Sequence, residues 1–277
     1  MTDQIDDILR NSTEVMTELA CKAKEAVNAG ESRRSFFSKT AKIAGATALG
    51  AAGAGLLQPI AARAATNTTN ADTVADILNI AATAEALATT FYYYALEAGS
   101  SLPDVNSTAN QNYFQAAVTE EFEHLVTLQR LGGKNSYTKF YFPTNMFTDE
   151  KVFFPTALLL EEFFISAYLA AALDLSGAVS SNITTADPYA LGFAVQVMGV
   201  ECEHRALLGV AANQNPPNNR VYEAALVKSV RGAASALVPF LTGGDGYTGP
   251  FRLPTPSKVN AVASPYGFSF FKKEIIV

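Results

Sequence analysis

Glu121-Phe122-Glu123-His124 and Glu201-Cys202-Glu203-His204 hold both histidines of this 277-residue chain, each with a glutamate three positions before it. Residues three apart on an α-helix share a face, so a carboxylate and an imidazole at this spacing can reach one ion. Glutamate fills 12 of the 213 positions after residue 64, so chance placement of a glutamate at that offset before both histidines has a probability well under one per cent.

The flanks of both motifs carry a helical period. Phe114, Ala117, Leu125 and Leu128 predict a helix over 110–131, stopped by Gly132-Gly133. Residues 188–212 predict another, ending before Asn213 and the pair Pro216-Pro217. Two more helices lie outside these. Val74, Ile77, Ala81, Ala88, Tyr92 and Ala95 place one over 72–98, and the Ala/Leu/Phe-rich segment 156–175, closed by Gly177, is the other, with Pro155 at its start. Each of these two carries a glutamate on its apolar stripe, Glu85 and Glu161.

Links within each pair are short, whereas 134–155, rich in Phe, Tyr, Asn, Pro and Thr, is a long crossover between the pairs. The predicted architecture is an all-α four-helix bundle with one long crossover. A fifth, shorter helix is expected over 221–241. Residues 242–277 are expected as an irregular tail on the outside of the bundle, with Phe268, Phe270 and Phe271 as anchors. No strand is predicted.

The order along the chain is thus Glu85, Glu121-x-x-His124, Glu161, Glu201-x-x-His204. Four ionised carboxylates facing one another inside a bundle are expensive unless a cation compensates them. Two divalent ions would balance the four charges and leave one imidazole for each. This order matches the pattern of di-iron and di-manganese carboxylate bundles. The plain alternative, ordinary surface charge on amphipathic helices, fits poorly, because all four glutamates sit on apolar stripes. Glu120, Glu123, Glu162 and Glu203 are expected to be solvated or to stand behind the ligands. Cys202 points about 100° away from Glu201 around its helix and is expected as a buried free thiol.

Composition limits the partners. The chain carries 20 Lys and Arg against 26 Asp and Glu, a net charge of −6, which offers no basic field to a nucleic acid. Two cysteines, Cys21 and Cys202, make no disulfide framework, and without a Cys-x-x-Cys pair no metal-ribbon electron-delivery module is present. Nothing points to a nucleotide, flavin or haem.

The first 64 residues read as an address. Ser32-Arg33-Arg34-Ser35-Phe36-Phe37-Ser38-Lys39 precedes a mild Ala/Gly-rich apolar run over 41–57, which resembles a twin-arginine export signal. Ala61-Ala62-Arg63-Ala64 offers a cleavage site, with the mature start near Ala65 and a bundle over 65–241. An uncleaved membrane anchor is the alternative. The apolar run of about 17 residues is at the short edge of what spans a bilayer. Residues 1–31 form a long leader whose apolar positions are helically spaced. After cleavage the chain is acidic and has no stable membrane insertion. Such machinery exports folded proteins, which would let the cytoplasm choose the metal where competition outside favours copper and zinc.

Together, residues 72–212 resemble the ferritin-like superfamily, and with the export signal and extended tail the chain is similar to exported bacterial ferritin-like domain proteins, some described as desiccation-related. The resemblance implies a tyrosine seven residues after each lone glutamate, and Tyr92 and Tyr168 stand there, favouring Glu161 over Glu162. They are expected either to pack, or to hydrogen-bond a ligand carboxylate or relay an electron. An internal duplication emerges: Glu85 to Glu161 is 76 residues, and Glu121 to Glu201 is 80. The expected function is a dinuclear iron or manganese site acting on oxygen or hydrogen peroxide, periplasmic or extracellular, in protection against oxidative or drying stress. Its ferroxidase, peroxidase or catalase-like chemistry stays open, as do non-catalytic metal storage, a structural metal staple, and a protective protein with a vestigial site. A homodimer is the expected assembly.

Overall fold

A computed structural model describes residues 72–177 and 187–273. The export signal, the leader and the cleavage site lie outside the described residues.

Four long helices form the bundle: α1 (Val74–Glu97), α2 (Gln111–Arg130), α3 (Glu150–Leu175) and α4 (Pro188–Ala211). α1 packs along α2, and α3 along α4. Their starts follow local chemistry. Thr73 and Asp76 form a reciprocal capping box at α1, and the carboxylates of Asp149 and Asp187 accept backbone N–H groups at α3 and α4. At the end of α2, Gly132 takes φ 100° and Gly133 donates its N–H to the carbonyl of Leu128. A Cβ on Gly133 would meet the carbonyl oxygen of Leu78 at 2.7 Å, so this glycine is also what lets the two helices approach.

Three expectations need correction. First, α3 begins at Glu150 rather than after Pro155, because Asp149 is the better cap. Pro155 then sits inside the helix, where its missing N–H leaves the carbonyl of exposed Lys151 without a helical donor. Second, the fifth helix, α5 (Val230–Thr242), is shorter than 221–241; Ser229 caps it by accepting the N–H of Gly232. Third, strands exist. β1 (Lys139–Pro143), in the crossover, pairs antiparallel with β2 (Tyr247–Arg252), in the tail, in the register Lys139↔Arg252, Phe140↔Phe251, Phe142↔Thr248 and Pro143↔Tyr247. The tail continues into a short helix, α6 (Pro256–Val262). The small sheet lets Phe140 and Phe142 bury fully. Phe142 meets the rings of Phe147, Phe240 and Phe251, joining crossover, α5 and tail.

Beyond β2 the tail seats on α2. The Gln115 amide donates to the carbonyls of Val262 and Ser264, the Phe268 ring lies 5.3 Å from Phe122, and Lys273 pairs with Glu123 at 2.6 Å. Of the three expected anchors Phe268 packs on the core, whereas Phe270 is 61% exposed and its ring meets those of Tyr266 and Phe271. At the open end of the bundle, Arg231 pairs with Asp72 and Asp76, and Asp174 accepts the N–H of Asp72, tying the start of α1 to α3 and α5. α1 and α3 are long and apolar enough to cross a membrane, but most of that surface is buried among the other helices.

Candidate metal centre

The bundle interior receives one glutamate from each long helix. Glu85 comes from α1, Glu121 from α2, Glu161 from α3 and Glu201 from α4, none more than 2% exposed. His124 and His204 stand one helical turn beyond Glu121 and Glu201, so their rings turn to the same centre. Nδ1 of His124 lies 3.3 Å from Glu85, 3.7 Å from Glu121 and 3.8 Å from Glu201. Nδ1 of His204 lies 3.0 Å from Glu121 and 3.3 Å from Glu201.

The six side chains sort into two overlapping groups. Glu85, Glu121, His124 and Glu201 form one, and Glu121, Glu161, Glu201 and His204 the other; within each, ligand atoms lie within 4.8 Å of one another. Glu121 and Glu201 belong to both. A carboxylate has two oxygens, so a shared glutamate can serve both positions at once.

Tyr92 and Tyr168 reach across the bundle. Tyr92 donates to Glu161 at 2.5 Å, and Tyr168 donates to Glu85. Each tyrosine therefore holds the lone glutamate of the other half rather than the one seven residues before it. Burial, followed by the surrounding carboxylates, pushes both phenols well above their ordinary range, so they stay protonated donors.

Charge is unevenly settled without a cation. Burial first, and then Glu85, raise Glu121; burial first, and then Glu201, raise Glu161. Burial opposes protonation of His124, but Glu85 and Glu121 outweigh it and push the ring up to about 10. His204 is likewise raised against burial, by Glu120, Glu121 and Glu201. Metal-free, the cluster therefore holds protons.

Whether cations fit can be judged from atoms with no partner. Both oxygens of Glu121, Oε2 of Glu85, Oε2 of Glu161, Oε1 of Glu201 and Nδ1 of His124 are buried without a hydrogen bond. An orphaned buried polar group costs roughly 1–3 kcal/mol, more when charged. Six orphans converging on one region, all oxygen or imidazole nitrogen, are the donor set that divalent iron, manganese or zinc takes up. The residues fit a metal site.

The neighbouring acids divide as well. Glu162 pairs with Arg220, and Glu123 with Lys273. Glu203 is exposed. Glu120 accepts from Nε2 of His204 at 2.9 Å. Of the four acids expected to be solvated or to stand behind the ligands, Glu120 is the one that stands behind a ligand, its position one residue before Glu121 turning it toward the neighbouring helix. Cys202 is half-buried, a free thiol raised by burial, and so a weak nucleophile.

With the geometry in place, comparison with known families gives one result: residues 73–214, which contain all six side chains, match the model of a family described as a ferritin-like domain. No curated protein and no solved structure gives a significant match.

Proposed function

This chain belongs to the ferritin-like family, and on that premise we propose that its six buried side chains hold two iron or manganese ions for redox chemistry on dioxygen or hydrogen peroxide. The observation that carries this reading is the set of six orphaned oxygen and imidazole nitrogen atoms around two shared glutamates. Glu85 and His124 would hold one ion and Glu161 and His204 the other, with Glu121 and Glu201 belonging to both groups. When bound, the ions supply one-electron steps between oxidation states two and three. The protein's own contribution is fixed placement. Tyr92 and Tyr168 hold one oxygen of each lone glutamate, and the packed aromatic core excludes bulk water, so neither carboxylate has to reorganise.

Protein purified from its native host should carry about two Fe or Mn ions per chain and consume added hydrogen peroxide; fewer than about one ion would overturn the assignment. A second reading, an ion pair that staples the bundle or is merely stored, draws support from the closure of the site, whose six residues are 0–3% exposed apart from His124 at 13%. In that case chelation lowers the melting temperature while peroxide is left untouched.

The proposal extends to location. Arg33-Arg34 and the apolar run behind it support twin-arginine export of the folded, loaded chain to the periplasm or beyond, as a homodimer acting in oxidative or desiccation stress. Replacing both arginines with lysine should retain the protein in the cytoplasm; unchanged export would remove this part of the proposal.

A further inference from the structure

The duplication that relates the two halves is broken at one position. An offset of 80 carries Glu121 onto Glu201 and His124 onto His204, but it carries Glu120 onto Val200. Glu120 accepts a hydrogen bond from Nε2 of His204 at 2.9 Å. That contact would keep the ring's remaining proton on Nε2 when an ion takes Nδ1, the nitrogen that faces Glu121 and Glu201 at 3.0 and 3.3 Å. Val200 can accept nothing, so the matching position gives His124 no counterpart. Exposure differs in the same sense: the His204 side chain is 2% accessible and that of His124 13%.

The carboxylates and their tyrosine donors are matched. Each half has one lone glutamate, one tyrosine donor to it and a claim on both shared glutamates. A carboxylate behind a ligating imidazole fixes the ring and raises its basicity, and its loss typically costs 10–100-fold in metal affinity.

We infer that the two ion positions are unequal: the one built on Glu161 and His204 retains its ion because Glu120 backs it, while the one built on Glu85 and His124 is the exchangeable position. Glu120 is thereby a positioning residue, and the ligand concerned is a divalent transition-metal ion. The inference rests on the metal reading given above.

Titrating metal-free full-length protein with Co²⁺, followed by calorimetry and by the visible absorption of the bound ion, tests it. Two successive events separated by about 10–100-fold in affinity are expected. In Glu120→Ala the tighter event weakens until the two merge, and its absorption band changes as the ring loosens; Glu120→Gln, which keeps a hydrogen-bond acceptor, falls between. Unchanged circular dichroism shows that the variants are folded. Two equal events in the parent protein, or an unchanged separation in folded Glu120→Ala, would overturn the inference while leaving the metal site in place. No binding of Co²⁺ at all would overturn both.

Discussion

Tyr92 holds Glu161 from across the bundle, 69 residues away in sequence, through a 2.5 Å hydrogen bond in a fully buried setting. Its counterpart from Tyr168 to Glu85 makes the two halves of the duplication exchange supports. Tyr92→Phe should therefore cost about 1–3 kcal/mol, because an acidic oxygen at 0% exposure loses its donor. Chemical denaturation of the metal-free protein measures this. If the phenol only fills space, the variant unfolds at the parent's midpoint.

Replacing a glutamate by its neutral isostere separates ligand from scaffold. Glu121→Gln, at a shared position, should lower the metal content by about two ions, whereas Glu85→Gln should lower it by about one. Elemental analysis after dialysis reads both. Metal-free Glu161→Gln should be no less stable than the parent, since it replaces a carboxyl whose ionised form burial disfavours.

The pH dependence has a definite sign. His124 rises from 6.5 to about 10 on folding, so folded metal-free protein binds more protons than the unfolded chain between those values. Its contribution is complete below pH 6.5 and fades as pH climbs through 10. The raised carboxyls of Glu121 and Glu161 act in the same direction at lower pH, each losing its contribution as pH rises from the unfolded carboxyl value through its own raised one. Thermal melts of metal-free protein should therefore fall steadily toward alkaline pH. Loaded protein should show a flatter profile, because ions replace the protons, and metal uptake should release acid into an unbuffered solution.

Arg231 closes the end of the bundle on Asp72, which is 1% exposed. Arg231→Ala leaves that carboxylate with the backbone N–H of residue 231, at a cost of about 1–2 kcal/mol, reduced by the partial exposure of the arginine. A melting temperature within error of the parent's would show that the ion pair contributes nothing.

Much of this was legible before any coordinates, for reasons that differ by element. The long helices were readable because their apolar stripes run for five or more turns and end at glycine or proline signals, and the glutamates stood out as charges on those stripes. β1 was not, since Lys-Phe-Tyr-Phe-Pro is too short for its alternation to register. β2 carries Gly249-Pro250, which reads as a breaker; the backbone needs that glycine because a Cβ there would lie 2.7 Å from the Tyr141 ring. The position of Pro155 misled because a strong cap six residues upstream, Asp149, outweighed it. Glu120 and the crossed tyrosines depend on how one helix is rotated against another, which no local period encodes.

The pairing of β1 with β2 joins residue 139 to residue 252, more than a hundred positions later in synthesis. A ribosome has thus made all four long helices before the strand that fastens their connector exists. The crossover is fastened only once residues 247–252 have been made, so a copy cut short before them, however helical, lacks the clasp between its halves.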